Sequence, residues 1–166
     1  EKLGGRTVPQ QGASGLEHPG ATFVTLMRSN TLRGCIGSLQ ASRALALDVR
    51  ENALGAAFRD PRFKPLTASE WADTSVEISL LSTLEPLNLD DESEVLRCLR
   101  PGLDGLVLEF GHHRGTFLPQ VWDDLPEPES FLIHLKRKAG LPPDFWEPGM
   151  RLQRYTVTKW REQDLV

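Results

Sequence analysis

Ala21-Thr22-Phe23-Val24-Thr25-Leu26-Met27-Arg28, then Ser29-Asn30, then Thr31-Leu32-Arg33-Gly34-Cys35-Ile36-Gly37-Ser38-Leu39 is the passage on which the fold turns. Two runs with strand character flank a two-residue turn signal, and so short a connection makes an antiparallel hairpin the simplest pairing. In the first arm Phe23, Thr25 and Met27 fall on one side and Thr22, Val24 and Leu26 on the other, which allows both faces to be covered. In the second arm, strict alternation sends Leu32, Gly34 and Ile36 one way and Arg33, Cys35 and Gly37 the other. Arg33 beside Cys35 favours a thiolate, and the flanking glycines let a ligand or a second backbone come close. Burial in a core is the competing reading, because free cysteine is among the residue types most often buried.

The chain has 166 residues, enough for one domain or for two small lobes, each with its own part of a core. With 39% hydrophobic and 25% charged residues it has ordinary globular composition, and it contains no apolar run long enough to span a bilayer. A soluble, cytoplasmic protein is the expectation. A formal net charge of −4 and a pI near 5.6 argue against nucleic acid as a partner. Cys35 and Cys98 have neither the spacing of a metal pair nor that of a secreted disulfide framework, and the four histidines add no paired-ligand spacing, so no metal site is expected.

Glu1 to Gly20, with five Gly and two Pro, reads as an irregular lead-in, and the missing initiator Met points to further residues upstream. Ser42 is the expected N-cap of a helix to about Arg59, with Leu45, Val49, Ala53, Ala56 and Ala57 on its core stripe and Asp48, Glu51, Asn52 and Gly55 on the other side. Asp60-Pro61-Arg62-Phe63 ends that helix; Asp60 accepts from turn amides while Arg62 reaches across, a structural role placed ahead of ligand binding. Thr67-Ala68-Ser69-Glu70 has the spacing of a capping box opening a short helix, with Trp71 assigned to the core. Thr74 to Ser82 alternates as a strand that carries Glu77 on its polar face. After the acidic run Asp90-Asp91-Glu92 come a short helix to Leu99, a strand Leu106 to Phe110, and a loop Gly111 to Gly115 with His112 and His113 exposed and pointing apart. A return arm Thr116 to Val121, a helix Ser130 to Ala139 and a last strand Arg151 to Trp160 complete the chain. Lys136, Arg137 and Lys138 are read as complementing that helix's negative end.

The order of these motifs resembles the AMMECR domain family, whose bacterial members are called AmmeMemoRadiSam system protein A. The resemblance runs from about Gly20 to the C-terminus. It is carried by Leu32 to Gly37, Thr22-Phe23-Val24-Thr25-Leu26, Glu51-Asn52-Ala53, Asp60-Pro61-Arg62-Phe63, Glu77, Phe117-Leu118-Pro119-Gln120-Val121 and Lys138-Ala139-Gly140-Leu141. It implies an α+β fold of two lobes, about 21–84 and 85–166, with mixed or antiparallel sheets, helices packed on them and a cleft between. It implies no established reaction and no known cofactor; the family's gene neighbourhoods imply a Memo-like protein and a radical SAM enzyme as partners.

Two functions follow. One is a small-molecule-binding or enzymatic pocket with Cys35 as nucleophile or ligand contact and Glu77 as base or cation partner, Arg33 holding an anion, and Gly34, Gly37, Asp60, Arg62 and Gln120 as further binding positions. The other is a non-catalytic partner protein. The first expects Arg33, Cys35 and Glu77 to converge, with Glu77 as the counter-charge of Arg33.

Overall fold

The computed structural model describes residues 15–88 and 91–164, so most of the expected lead-in, and Asp90 of the acidic run, lie outside the described residues. In chain order the elements are β1 (Thr22–Arg28), β2 (Thr31–Gly37), α1 (Leu45–Phe58), α2 (Ala68–Trp71), β3 (Thr74–Leu81), β4 (Glu85–Pro86), α3 (Glu92–Cys98), β5 (Gly105–Phe110), β6 (His113–Phe117), α4 (Pro128–Lys138), β7 (Arg151–Tyr155) and β8 (Val157–Arg161). A 3-10 turn covers Pro119–Asp123 and another Glu162–Asp164. No helix among the described residues is long and apolar enough to cross a membrane. The architecture is α+β, with two four-stranded sheets.

The described residues form two compact units: those up to Leu81 together with those from Thr158, and those of Ser82–Val157. A cut near residue 84 with everything after it in one lobe is thus replaced by a division in which the last strand returns to the first unit. The expected single strand Arg151 to Trp160 is two, β7 and β8, which belong to different sheets.

In the first unit the sheet order is β2-β1-β3-β8. Ser29 and Asn30 both take positive φ (49° and 58°), the conformation a two-residue hairpin turn requires. Near the turn Arg28 pairs with Thr31 and Met27 with Leu32, but Leu26 then pairs with Gly34 and Thr25 with Cys35. Arg33 is the unpaired residue of a β-bulge. Its effect is a change of side: an unbroken register would set Cys35 opposite Val24, whereas the bulge sets it opposite Thr25.

Helix α1 packs on the Val24, Leu26 and Ile36 side of this sheet, where Leu26, Ala56, Ala57 and Leu66 form the core with Ile36 and Val76 against them. The helix is rotated from the expected stripe: its buried residues are Asp48, Asn52, Gly55, Ala56 and Ala57, and its N-cap is Ala44, not Ser42. Asp48 has no exposed surface and yet is fully used. Its Oδ2 accepts from Thr22 N (2.8 Å), Thr22 Oγ1 (2.7 Å) and Asn52 Nδ2 (2.9 Å), and its Oδ1 from Ser38 Oγ (2.7 Å) and Arg43 Nε (2.8 Å). Burial alone would raise its pKa, but these donors, Thr22 first, hold the carboxyl below its ordinary value. The capping box at Thr67 and Glu70 is present, but Trp71 is 51% exposed, since a helix of one turn seats Glu70 inward and leaves the next side chain outside.

In the second unit the order is β4-β7-β5-β6. Its core gathers Leu106, Leu108 and Leu152 from the sheet with Val95, Trp122, Phe131, Leu132 and Leu135, and Trp122 stacks on Phe131 at 3.8 Å. The hairpin turn is shorter than expected, so His113 begins β6, and Pro119 starts a 3-10 turn, not a strand position. The rings of His112 and His113 lie 4.3 Å apart, and His113 Nδ1 reaches the Ala139 carbonyl at 2.9 Å. Lys136 does not end in solvent near the helix terminus: it is fully buried, bonded to Glu92 Oε1 (2.6 Å) and the Pro143 carbonyl (3.2 Å). Helix α4 closes as a Schellman motif, with Leu141 N donating to Lys136 O, Gly140 N to Arg137 O, and Gly140 at φ +82°.

Candidate functional site

The site is built on β2, an edge strand, and its neighbours. Cys35 faces away from α1, directly across from Thr25, and Thr25 in turn stands across from Glu77. Directly opposed residues share a face, so thiol, hydroxyl and carboxylate form one cross-strand row about 10 Å from end to end. The Thr25 hydroxyl donates to Cys35 Sγ at 3.3 Å.

The backbone of Cys35 is held from the open edge of the sheet. Its N–H donates to Asp60 Oδ2 (2.9 Å), and its carbonyl accepts from Arg62 Nη2 (3.3 Å). Arg62 also donates to Asp60 through its own backbone N–H (3.1 Å), Nε (3.0 Å) and Nη2 (2.7 Å). A carboxylate and a guanidinium thereby fill the positions a further strand would occupy, which closes the edge at this residue. The Arg62 guanidinium, followed by the Cys35 amide, holds Asp60 far below the usual carboxylate range. The turn role expected of Asp60 and Arg62 is present, and its reach to β2 is an addition the sequence did not disclose.

Arg33, released from pairing by the bulge, is bound elsewhere. Its Nε and Nη2 donate to Glu70 (3.0 and 3.1 Å), and Nη2 also to the Lys64 carbonyl (3.0 Å). The counter-charge of Arg33 is therefore Glu70 and not Glu77. Glu77 instead meets Lys159 Nζ at 3.3 Å and Arg161 Nε at 3.2 Å, cations of β8, its neighbour in the sheet. The physical reason is the sheet order: β3 lies between β1 and β8, two strands away from β2. Arg33 draws the Glu70 carboxyl from its ordinary 4.5 to about 2, with Thr67 assisting. In Arg33→Gln, carboxyl NMR titration is expected to show Glu70 moving back towards its ordinary value; an unmoved Glu70 would contradict the pairing.

The glycines answer to packing. A Cβ on Gly34 would meet the Ala56 carbonyl oxygen of α1 at 2.2 Å, and one on Gly37 would meet the Phe23 ring at 2.3 Å. Gln120 lies in the second unit, exposed on the Pro119–Asp123 turn. Thr25 was missed. Its signal is its place opposite the thiol, which becomes visible only once the bulge is counted. No group of three or more His, Cys, Asp or Glu suited to a metal ion occurs among the described residues.

Fold and site define an α+β protein of two sheet-and-helix units with a thiol carried on an edge-strand hairpin. The AMMECR1 family model matches residues 2–160, and the chain belongs to that family. A protein of Methanothermobacter thermautotrophicus is 40% identical over 146 residues, covering 84% of this chain and 74% of its own length. Protein MJ0810 of Methanocaldococcus jannaschii is 39% identical over 137 residues, covering 79% of this chain, which spans only 66% of that protein. The crystal structure of uncharacterized protein PH0010 from Pyrococcus horikoshii matches with a TM-score of 0.85 at 33% identity, over 93% of this chain and 79% of that one.

Proposed function

We propose that this AMMECR1-family domain binds a small molecule on the sheet face around Cys35, with the thiol as the group that contacts the ligand. What supports the reading is the contrast within Leu32–Gly37. Arg33 is held by Glu70 through Nε and Nη2, with its Nη1 buried and without a hydrogen-bond partner among the described residues, Gly34 meets the approach of α1, Ile36 packs on Gly55 and Gly37 on Phe23. Cys35 is half-buried on the face away from α1, with the Thr25 hydroxyl as its hydrogen-bond partner. A half-buried thiol on the face that the helix leaves uncovered can meet a ligand. The partner of the thiol is Thr25 and not a histidine, so the arrangement favours ligand contact over Cys-dependent hydrolysis.

The test is maleimide labelling of the folded chain, read by peptide mass spectrometry. Cys35 is expected to react several-fold faster than Cys98, which sits at the end of α3, and Thr25→Val is expected to change the Cys35 rate while leaving Cys98 unchanged. A Cys35 that labels only after denaturation defeats the proposal and puts the second reading ahead, a non-catalytic partner of a Memo-like protein and a radical SAM enzyme.

A further inference from the structure

Helix α1 faces its sheet with Asp48 and Asn52, and this inversion leaves an apolar seam on the side away from them. Leu47, Glu51, Leu54 and Phe58 follow at spacings of four, three and four, the seam along which one helix packs against another. Leu47 is 44% exposed and Phe58 39%, and Leu54 between them is half-buried. The charge on the seam is opposite in sign to that of the chain. Glu51 lies 3.6 Å from Arg50 Nη1 and 3.6 Å from Arg59 Nη2, so two exposed guanidinium groups surround one carboxylate in a protein of formal net charge −4.

We infer that α1 is a docking surface for an amphipathic helix of another protein, whose apolar stripe seats on Leu47, Leu54 and Phe58 and whose acidic flank meets Arg50 and Arg59. Charge complementarity decides the occupant. An antiparallel α1 of a second copy would also offer leucines and a phenylalanine, but it would set these arginines near their own equivalents. A glutamate-flanked partner relieves the surplus positive charge that a second copy would increase.

Two synthetic helix-forming peptides test this, both with leucines at the four-three-four spacing, one flanked by glutamates and one by lysines. Fluorescence anisotropy is expected to show the glutamate peptide binding at least about tenfold tighter, equivalent to about 1.4 kcal/mol, with amide shifts in the chain confined to α1. The double variant Leu47→Ser, Phe58→Ser is expected to lose that binding while keeping its far-UV circular dichroism and melting temperature. Arg50→Glu with Arg59→Glu is expected to reverse the preference between peptides and, lying on the surface, gives a second reading should the first variant misfold. Equal affinity for both peptides, shifts spread away from α1, a dimer in sedimentation that Phe58→Ser abolishes, or Overhauser contacts from the seam to the chain's own residues outside α1 would each overturn the inference.

Discussion

Asp48→Ala is expected to lower the unfolding free energy by about 3 to 5 kcal/mol in urea titration, the loss typical of breaking a buried ion pair from one side. Asp48 joins three parts of the first unit: Thr22 at the start of β1, Ser38 just past β2, and Arg43 ahead of α1. Without the carboxylate, the Thr22 N–H and the Asn52 amide lose acceptors in a place water does not reach, and Arg43 loses its counter-charge. Asp48→Asn keeps the shape but presents an NH₂ where only acceptors fit, so it is expected to fall between alanine and the native residue. The acid limb carries a second signature. The folded-state pKa lies below the ordinary 3.8, so this contribution is present above that value and is lost as pH falls through the lower folded one. The alanine variant is expected to lose less further stability below about pH 4 than the native chain. A variant within about 1 kcal/mol of native would show that the network is not what fixes α1.

Much of this fold can be read from the chain. Two-residue turn chemistry at Ser29-Asn30, alternation in β1 and β3, and the spacing Thr67 to Glu70 each gave the element found there. These are local signals, in which the residues that decide the structure are neighbours in sequence. The facing of α1 is different in kind. Asp48 and Asn52 look like a solvated stripe because their partners, Thr22 and Ser38, are remote in sequence and become donors only when the hairpin closes against the helix. The same holds for Arg33 and Glu77, each of which has a partner that only the sheet order and the bulge disclose. Tertiary pairing of charges overrode the periodicity argument, and it did so at the positions where polar side chains are buried.

The bulge also changes which side chains share a face with Cys35. A one-residue slip reverses every facing beyond it. Leu32 pairs with Met27 before the slip and Gly34 with Leu26 after it, so Leu32 joins the Cys35 face, away from Gly34 and Ile36. On the opposite side the slip lays Gly34 against α1, and there the demand is for space.

Gly34→Ala is accordingly expected to destabilise the first unit by about 3 kcal/mol, the upper end of ordinary overpacking, because its Cβ would stand 2.2 Å from the Ala56 carbonyl oxygen. The Ala56 carbonyl belongs to the backbone of the last turn of α1 and, unlike a side chain, has no rotamer to take up, so relief requires the end of α1 or β2 to shift. Such a move pulls on Cys35, the next residue, through its bonds to Asp60 and Thr25. Faster maleimide labelling at Cys35, with Cys98 unaffected, is therefore expected alongside the loss of stability. Gly37→Ala supplies the comparison. Its Cβ would meet the Phe23 ring, a side chain that can rotate away, and a cost of about 1 kcal/mol is expected. Equal costs at the two glycines, measured by urea denaturation, would mean that β2 yields as easily to the helix as to a side chain, and that the close approach of α1 does not hold the thiol-bearing strand in place.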